Sequence, residues 1–405
     1  MSNSDLSRGL SESLSGNMNL LKICMSQFWG GVEQTAFNDL CDLASCGLSA
    51  RLVCLAGSPL YEEVLKVGSG LERVQLIPLE ARPREVLDFQ FGKFIREQVA
   101  DGVSIVHSHH TSLLGSISPW LWKHPRVVLL ASRYLMSSHD KHDPIHRLIY
   151  GRVDSVLVTS ESLRQNVIET HPIKDRRVRV VNPGLDFTGF DPSLVDAKTR
   201  RASWGADEKT VVIGTVGRIH PEKGQELLLK AAAGLLKDRF GNKSDMPALK
   251  FVIVGEDAHH SGAPFRAELQ KLVRQFRIED HVIFEDYGDH VAEMMQGFDI
   301  FVMPARRESL GLVVLEAMAM ECPLVLSDTG SFREVVGNQD YGLTFRSDDA
   351  FNLQRQLRTL VADSELRAKM GRQARLHVVK NYHRSLRLQR TLEIYDRCLK
   401  VRQAF

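Results

Sequence analysis

The chain has 405 residues, which is more than one ordinary hydrophobic core supports and fits two domains of about 150–200 residues each. Charged residues make up 25% and hydrophobic residues 43%, and the formal net charge of +2 does not indicate a nucleic-acid-binding protein. No apolar run approaches the roughly 18–20 residues of a membrane span. Residues 1–17, rich in Ser, Gly and Asn, lack the apolar core of a signal peptide. We therefore expect a disordered tail over 1–17 and a cytoplasmic protein that does not bind nucleic acid.

The first half of the chain alternates short apolar runs with longer amphipathic ones, a pattern typical of βαβ units around a parallel sheet. A strand is predicted at 20–25, followed by the Gly30-Gly31 turn and a helix from about Val32 to Cys46. Further strands are predicted at 50–56, 104–108, 127–131, 155–159 and 178–181. The breaker run Asn182-Pro183-Gly184 then indicates the end of an N-terminal domain over 18–185.

A second series of βαβ units follows, which predicts a C-terminal domain over 186–384. Its strands are predicted at 211–216, 249–254, 281–284, 299–303 and 323–327, and the segment 366–402 has an Arg-rich helical pattern. Two such series predict an α/β fold of two doubly wound, Rossmann-like domains that face each other across a deep cleft. Ligands of such domains bind at the carboxyl ends of the strands.

The six cysteines show no spacing that is typical of a metal site. Cys24, Cys54 and Cys322 lie within or beside apolar runs, so we expect them to be buried free thiols.

The stretch 299–334 carries the first candidate binding site. Gly311 allows a tight turn into a helix predicted at 312–320, whose first free N–H groups suit a phosphate or a sugar hydroxyl. Glu316 lies four residues after Leu312 on the same helix face and is suited to accept two hydrogen bonds from a ribose diol. Glu308 precedes the turn and can accept hydrogen bonds from hydroxyls of a sugar. Alternatively, both carboxylates only stabilise the helix dipole.

A second candidate is the glycine-bounded turn 214–224, which follows a strand and precedes a helix. It is neither a P-loop nor a GxGxxG dinucleotide motif. Its two cations, Arg218 and Lys223, can hold a diphosphate and stabilise the charge that develops as the bond to a sugar breaks.

These residues resemble a known family, the retaining glycosyltransferases of family 4, which have the GT-B fold. The matching motifs are Gly217-Arg218 with Glu222-Lys223-Gly224, the spacing of Glu308 and Glu316, Gly330 with Glu334, Trp29-Gly30-Gly31, and Asn182-Pro183-Gly184. The resemblance covers nearly the whole chain after residue 17 and is most specific between about 214 and 345.

The resemblance implies a role for each of these residues. Arg218 and Lys223 are expected to bind the diphosphate of a nucleotide-sugar donor and Glu316 its ribose, with the nucleobase near 284–287. Glu308 and the amides of Leu310, Gly311 and Leu312 are expected to bind the donor sugar, and the Gly30-Gly31 loop is expected to approach the donor diphosphate. The resemblance also implies that neither a divalent metal nor another cofactor is needed, and that a C-terminal helix at about 385–405 packs on the N-terminal domain.

The sequence departs from the family pattern at three places. Where the family has a glycine-rich turn, this chain has Gly255-Glu256-Asp257, and where the family has a Gly-Gly pair, it has Gly330-Ser331. Ser132-Arg133-Tyr134 stand where many members have an active-site histidine.

The residues that are candidates for binding the acceptor lie at and after the strand predicted at 104–108. His107 and His109 resemble the family's HxH segment, and one of them is expected to contact the donor sugar or to steer the acceptor hydroxyl, with His109 the catalytic candidate. A zinc site and purely structural histidines are the alternatives. Arg133 is a further candidate because it supplies charge where the family places a histidine.

The segment 121–180 contains eleven Lys and Arg against six Asp and Glu. Either these charges form solvated helix faces, or they contact an anionic acceptor or an anionic membrane at its inner face.

The function that these patterns predict is retaining transfer of a hexose-type sugar from a nucleotide sugar to an acceptor hydroxyl. The expected acceptor is a glycolipid or polysaccharide intermediate of the cell envelope. The alternatives are a sugar-nucleotide epimerase on the same fold and a catalytically silent nucleotide-sugar-binding protein.

Overall fold

The apolar runs form two parallel β-sheets in the computed structural model, which describes residues 18–240, 246–257, 264–288, 290–308 and 310–404. The tail expected over 1–17 lies outside these residues. The first sheet contains β1 (Leu20–Cys24), β2 (Ala50–Leu55), β3 (Val74–Leu79), β4 (Ile105–Ser108), β5 (Val128–Arg133), β6 (Ser155–Val158) and β7 (Val178–Val180). The second contains β8 (Val211–Val216), β9 (Leu249–Val254), β10 (Val282–Glu285), β11 (Ile300–Met303), β12 (Leu324–Ser327) and β13 (Gly342–Phe345).

Both sheets have the strand order of a doubly wound fold. The orders are β3-β2-β1-β4-β5-β6-β7 and β10-β9-β8-β11-β12-β13. The order therefore reverses between β1 and β4 and again between β8 and β11, and ligands of such sheets bind outside the carboxyl ends of the strands at these points. The predicted fold class, with two Rossmann-like domains, is confirmed.

Helices connect the parallel strands. Those between the strands of the first sheet are α1 (Gly31–Ser45), α2 (Pro59–Val67), α3 (Phe89–Ala100), α4 (Leu114–Leu121), α5 (Pro144–Arg152) and α6 (Glu161–Thr170). After β7 come α7 (Lys198–Ser203), α8 (Gln225–Phe240), α9 (Phe265–Phe276), α10 (Val291–Gln296), α11 (Leu312–Ala319), α12 (Phe332–Val335), α13 (Ala350–Ala362), α14 (Ser364–Asn381) and α15 (Arg384–Gln403).

Central strands such as β1 and β8 are buried on both faces, as expected of sheets covered by helices on both sides. Successive residues of β1 point to opposite faces, so that Leu20 and Cys24 pack in one hydrophobic cluster and Leu21 and Ile23 in the other. Cys24, Cys54 and Cys322 are buried free thiols, as predicted.

The chain forms two compact units. The described residues up to Gly184 belong to one unit together with the helix that starts at Arg384, and Leu185–His383 form the other. The helical pattern of 366–402 is interrupted at Tyr382, where α14 ends, and α15 belongs to the N-terminal unit.

A buried ionic cluster attaches α15 to the N-terminal unit. Asp39 of α1 lies 2.9 Å from Lys22 Nζ of β1 and 2.8 Å from Arg387 Nε of α15, and all three side chains are buried. Burial alone would raise the pKa of Asp39, but Arg387 and Lys22 hold it below its ordinary value. Each charge in this cluster therefore depends on the others for compensation.

Candidate active site

The turn after β8 packs against the loop after β11, because β8 and β11 are neighbouring strands of the sheet. Pro221–Lys223 form one 3₁₀ turn, and the side chain of His220 accepts a hydrogen bond from Glu222 N at 3.2 Å. Gly224 follows in a left-handed conformation with φ of 70°, and a Cβ there would lie 2.1 Å from Pro304 O. Only glycine fits both the backbone conformation and the space.

Arg306 holds the two loops together. Its backbone N–H donates to Glu222 O at 2.8 Å, and its Nε donates to Asp348 Oδ1 at 2.6 Å. The guanidinium also contacts the carbonyl of Pro221 and the carboxylate of Glu226. The sequence reasoning assigned no role to Arg306, because its partners lie 42 to 85 residues away.

Two of the predicted site residues contact each other. Lys223 Nζ lies 2.5 Å from Glu308 Oε2, and the two side chains are 19% and 14% exposed. The residue expected to bind the diphosphate, Lys223, therefore forms an ion pair with Glu308, which is expected to bind the donor sugar.

Arg218 lies on the same turn with a different environment. Its side chain is exposed, and its backbone carbonyl accepts a hydrogen bond from Gln225 Nε2 at 2.8 Å. Within the described residues, its guanidinium forms no salt bridge.

The other donor-site candidates surround the start of α11. Gly311, with φ of 73°, precedes the helix, and a Cβ on it would lie 3.5 Å from Glu308 Cγ. Leu310 is buried, and the first turn begins at Leu312. Val314 N donates to Gly311 O at 3.1 Å, whereas the N–H groups of Leu312 and Val313 have no intrahelical acceptor. Ser309, which belongs to the same motif, lies outside the described residues.

Glu316, one turn further along α11, is the most unusual residue of this region. It is 6% exposed, and its Oε2 has no hydrogen-bond partner among the described residues. Burial raises its pKa to about 7. A buried carboxylate oxygen without a donor costs free energy, which is typical of a group whose partner is a ligand.

The segment expected near the nucleobase follows β10. Arg266 lies over the Phe284 ring at 5.6 Å, and Glu285 accepts a hydrogen bond from Trp204 Nε1 at 2.8 Å. Tyr287 is half exposed.

The acceptor-side candidates belong to the N-terminal unit. Gly30 and Gly31 are exposed at the start of α1. His107 is fully buried, with Nδ1 2.6 Å from the Tyr395 hydroxyl and Nε2 2.9 Å from Ser132 Oγ. Because both ring nitrogens have partners within the fold, the structural interpretation of His107 is favoured over a ligand contact.

His109 and Arg133 each keep an unpartnered atom. His109 Nδ1 lies 2.9 Å from the Tyr134 hydroxyl, while its Nε2 has no partner among the described residues. Burial, followed by the charge of Lys22, lowers the pKa of both His107 and His109 well below the ordinary value, so both are neutral at pH 7. Arg133 donates to Thr111 Oγ1 at 3.0 Å, and its Nε lacks a partner within the described part of the chain.

The zinc alternative for the HxH segment is not supported. In the part of the chain that the structure describes, the three-residue group suited to hold a metal consists of Cys24, Glu33 and His110. Neither His107 nor His109 belongs to it.

Comparison with known proteins agrees with this architecture. Residues 29–188 match the family model Glycosyltransferase Family 4, and residues 196–377 match Glycosyl transferases group 1. D-inositol 3-phosphate glycosyltransferase of Corynebacterium jeikeium is 30% identical over 376 residues, covering 87% of this chain and 88% of that protein.

Two solved structures show the same fold. A glycosyltransferase from Rickettsia africae matches with a TM-score of 0.80 at 18% identity, covering 95% of this chain and 100% of that one. Anabaena HepE, solved in complex with UDP-glucose, matches with a TM-score of 0.74 at 18% identity, covering 93% of this chain and 98% of that one.

Two doubly wound domains with these strand orders constitute the GT-B fold. The chain belongs to glycosyltransferase family 4, as its motifs indicated. None of the described helices is both long enough and apolar enough to cross a lipid bilayer.

Proposed function

We propose that this chain is a retaining glycosyltransferase that moves a hexose-type sugar from a nucleotide sugar to an acceptor hydroxyl. The observation that carries the proposal is the buried, unpartnered Oε2 of Glu316, one turn into α11. A ribose diol supplies the O–H donors that this carboxylate lacks. Arg218 and Lys223, at the end of the neighbouring strand β8, supply the positive charge that the attached diphosphate requires.

The Lys223–Glu308 ion pair suggests how the donor enters. A diphosphate offers Lys223 a more highly charged partner than the carboxylate of Glu308. When Lys223 turns to the phosphate, Glu308 becomes available for hydroxyl groups of the transferred sugar. Hydrogen bonds from these hydroxyl groups then replace the contact between Glu308 and Lys223.

In the proposed transfer, the bond between the sugar C1 and the diphosphate oxygen breaks, and a bond from C1 to the acceptor oxygen forms on the same face. The acceptor proton passes to an oxygen of the leaving diphosphate. Arg218 and Lys223 stabilise the charge on that diphosphate, together with the first-turn N–H groups of α11. In the N-terminal unit, His109 Nε2 is the group proposed to contact the acceptor or the sugar.

The donor and acceptor are proposed from the comparisons and the family. UDP-glucose, bound in HepE, is the first donor to test. A cell-envelope glycolipid or polysaccharide intermediate remains the proposed acceptor. The name of the Corynebacterium jeikeium relative favours a phosphorylated polyol, D-inositol 3-phosphate, as a second acceptor to test.

A thermal-shift screen over nucleotide sugars, followed by product analysis of each binder, tests the proposal. A ligand at 100 times its Kd stabilises a folded protein by about 2.7 kcal/mol. Transfer, or slow donor hydrolysis without acceptor, supports the proposal. Epimerised donor without acceptor would identify an epimerase, and binding without any conversion would identify a silent binding protein.

We predict that transfer persists in excess EDTA. At the proposed donor site the positive charge comes from Arg218 and Lys223, and no donor-site residue belongs to a potential metal-ligand group within the described residues. Initial rates should be measured with and without EDTA on protein that was dialysed against chelator. Complete loss of activity, restored by Mg²⁺ or Mn²⁺, would overturn the metal-independent mechanism.

The basic segment 121–180 contributes to an arginine-rich cavity in the N-terminal unit. Arg176, Arg177 and Arg179 line a surface cavity of about 560 Å³, together with Arg390 and Arg397 of α15 and two acidic residues, Asp154 and Glu393. Arg177 also donates to the carbonyl of Val153 at 3.0 Å, so it has a structural role. This concentration of cations supports the proposal that the face contacts an anionic membrane or acceptor.

We predict that the protein binds anionic vesicles and that the double variant Arg176→Glu/Arg179→Glu binds at least tenfold more weakly. Each basic residue near an anionic membrane contributes about 1 kcal/mol, within a Debye length of about 8 Å at physiological salt. Vesicle sedimentation at two salt concentrations measures the effect. Lys271→Glu/Arg274→Glu, on exposed positions of α9, is the matched control. Binding that is indifferent to salt and to lipid charge would show that the segment is only solvated surface.

A further inference from the structure

Three side chains with different metal-binding atoms meet at the carboxyl ends of β1 and β4. Cys24 is the last residue of β1, Glu33 lies in the first turn of α1, and His110 follows β4. Each offers one ligand atom, and these atoms all lie within 4.8 Å of one another. Cys24 Sγ is 3.8 Å from His110 Nε2. The pairing of β1 with β4 brings Cys24 and His110 together across 86 residues of sequence.

This cluster contains one carboxylate, that of Glu33. Glu33 is 6% exposed and lies in the first turn of α1, and within the described residues its carboxylate forms no ion pair. The nearby buried carboxylate of Asp39 contrasts with it, because Asp39 has both Lys22 and Arg387 as partners. A buried carboxylate without a counter-charge is costly. A cation bound at this cluster would give Glu33 a counter-charge.

The type of ligand limits which cation fits. A thiol, an imidazole and a carboxylate together suit zinc, whereas Mg²⁺ and Ca²⁺ prefer oxygen ligands alone. Zn–S and Zn–N bonds of about 2.3 and 2.0 Å at a tetrahedral angle place S and N about 3.5 Å apart. The distance of 3.8 Å between Cys24 Sγ and His110 Nε2 is close to that value.

We propose that Cys24, Glu33 and His110 form a Zn²⁺ site in the N-terminal unit. Zinc holds Cys24 as the thiolate and supplies the positive charge that Glu33 lacks. Three protein ligands leave a fourth position for water or for an oxygen of a bound molecule. The proposal involves none of the donor-site residues, so it stands or falls independently of the proposed transfer reaction.

Cobalt substitution tests the site on the full chain. Metal-free protein titrated with Co²⁺ should develop thiolate-to-cobalt charge-transfer absorption that saturates at one equivalent and disappears on addition of Zn²⁺. Cys24→Ser should abolish this absorption, and His110→Ala should weaken Co²⁺ binding at least 100-fold. Cys46→Ser, which changes a half-buried cysteine at the end of α1, should leave it unchanged.

Glu33→Gln keeps the proposal testable if Cys24→Ser does not fold. The variant removes the buried charge with little change in shape, so it should fold and yet bind Co²⁺ at least tenfold more weakly. Zn²⁺ should raise the Tm of the unaltered chain but not that of His110→Ala. Absence of the charge-transfer band, or its persistence in Cys24→Ser, would overturn the assignment.

Discussion

Lys223→Ala, and separately Arg218→Ala, should lower turnover by two orders of magnitude or more without unfolding the protein. Each variant removes a cation that stabilises charge on the leaving diphosphate, and one strong preorganised donor of this kind is worth about 3 kcal/mol in the transition state. The rate of sugar transfer at saturating donor measures the effect. Circular dichroism and urea unfolding establish that each variant is folded.

Arg218→Ala is the cleaner of the two variants, because the Arg218 side chain is exposed. Lys223→Ala also removes the ion pair with Glu308, so its effect combines two changes. Lys230→Ala, at an exposed position of α8, is the matched control and should retain normal turnover. Near-normal turnover in a folded Arg218→Ala or Lys223→Ala protein would refute the diphosphate assignment.

Glu316→Gln should change donor binding and stability in opposite directions. The amide keeps one acceptor oxygen but loses the charge, and a hydrogen bond to a charged group is worth about 1.5–3 kcal/mol. We therefore expect the KM for the nucleotide sugar to rise by roughly 10- to 100-fold. Steady-state kinetics with varied donor measures this change.

The stability effect depends on pH. The folded-state pKa of Glu316 is raised from its ordinary value of 4.5 to about 7, so its contribution to stability is greatest below pH 4.5 and is lost as the pH rises through 7. A shift of this size corresponds to about 3 kcal/mol. Glu316→Gln should therefore be more stable than the unaltered chain at pH 8 and nearly equal to it at pH 4.

Urea unfolding of the unliganded protein at both pH values measures the difference. Glu268→Gln, at an exposed position of α9, is the control and should show no such dependence. If Glu316→Gln destabilises the protein at pH 8, the carboxylate has a stabilising partner within the fold. That result would contradict its assignment as a ligand-binding group.

The central strands could be predicted from the sequence, but the edge strands β3 and β13 could not. Central strands are continuous apolar runs because both faces are buried. β3 contains Pro78 and has only exposed and half-buried residues, and β13 is a four-residue strand that begins with Gly342. Both features are permitted at the edge of a sheet but weaken a strand pattern.

The residues of the candidate site that belong to short sequence motifs could be predicted, but contacts between residues far apart in the sequence could not. Arg218, Lys223, Glu308 and Glu316 belong to short motifs, whereas the Lys223–Glu308 ion pair joins residues 85 positions apart. The burial of His107 could not be predicted, because its partner Tyr395 lies 288 residues away on α15. The same holds for Cys24, Glu33 and His110, whose spacing has no recognisable period and whose proximity depends on the pairing of β1 with β4.

The position of α15 has a consequence for how the protein is made. Asp39 and His107 emerge from the ribosome long before Arg387 and Tyr395, their partners in the finished fold. At a synthesis rate of about 5–20 residues per second, the intervening stretch takes on the order of 15–70 s. During that time the nascent N-terminal unit lacks the helix that completes its core. This interval is when chaperones would bind it, and stalled translation products that end before Arg384 should be the preferred substrates of cellular proteases.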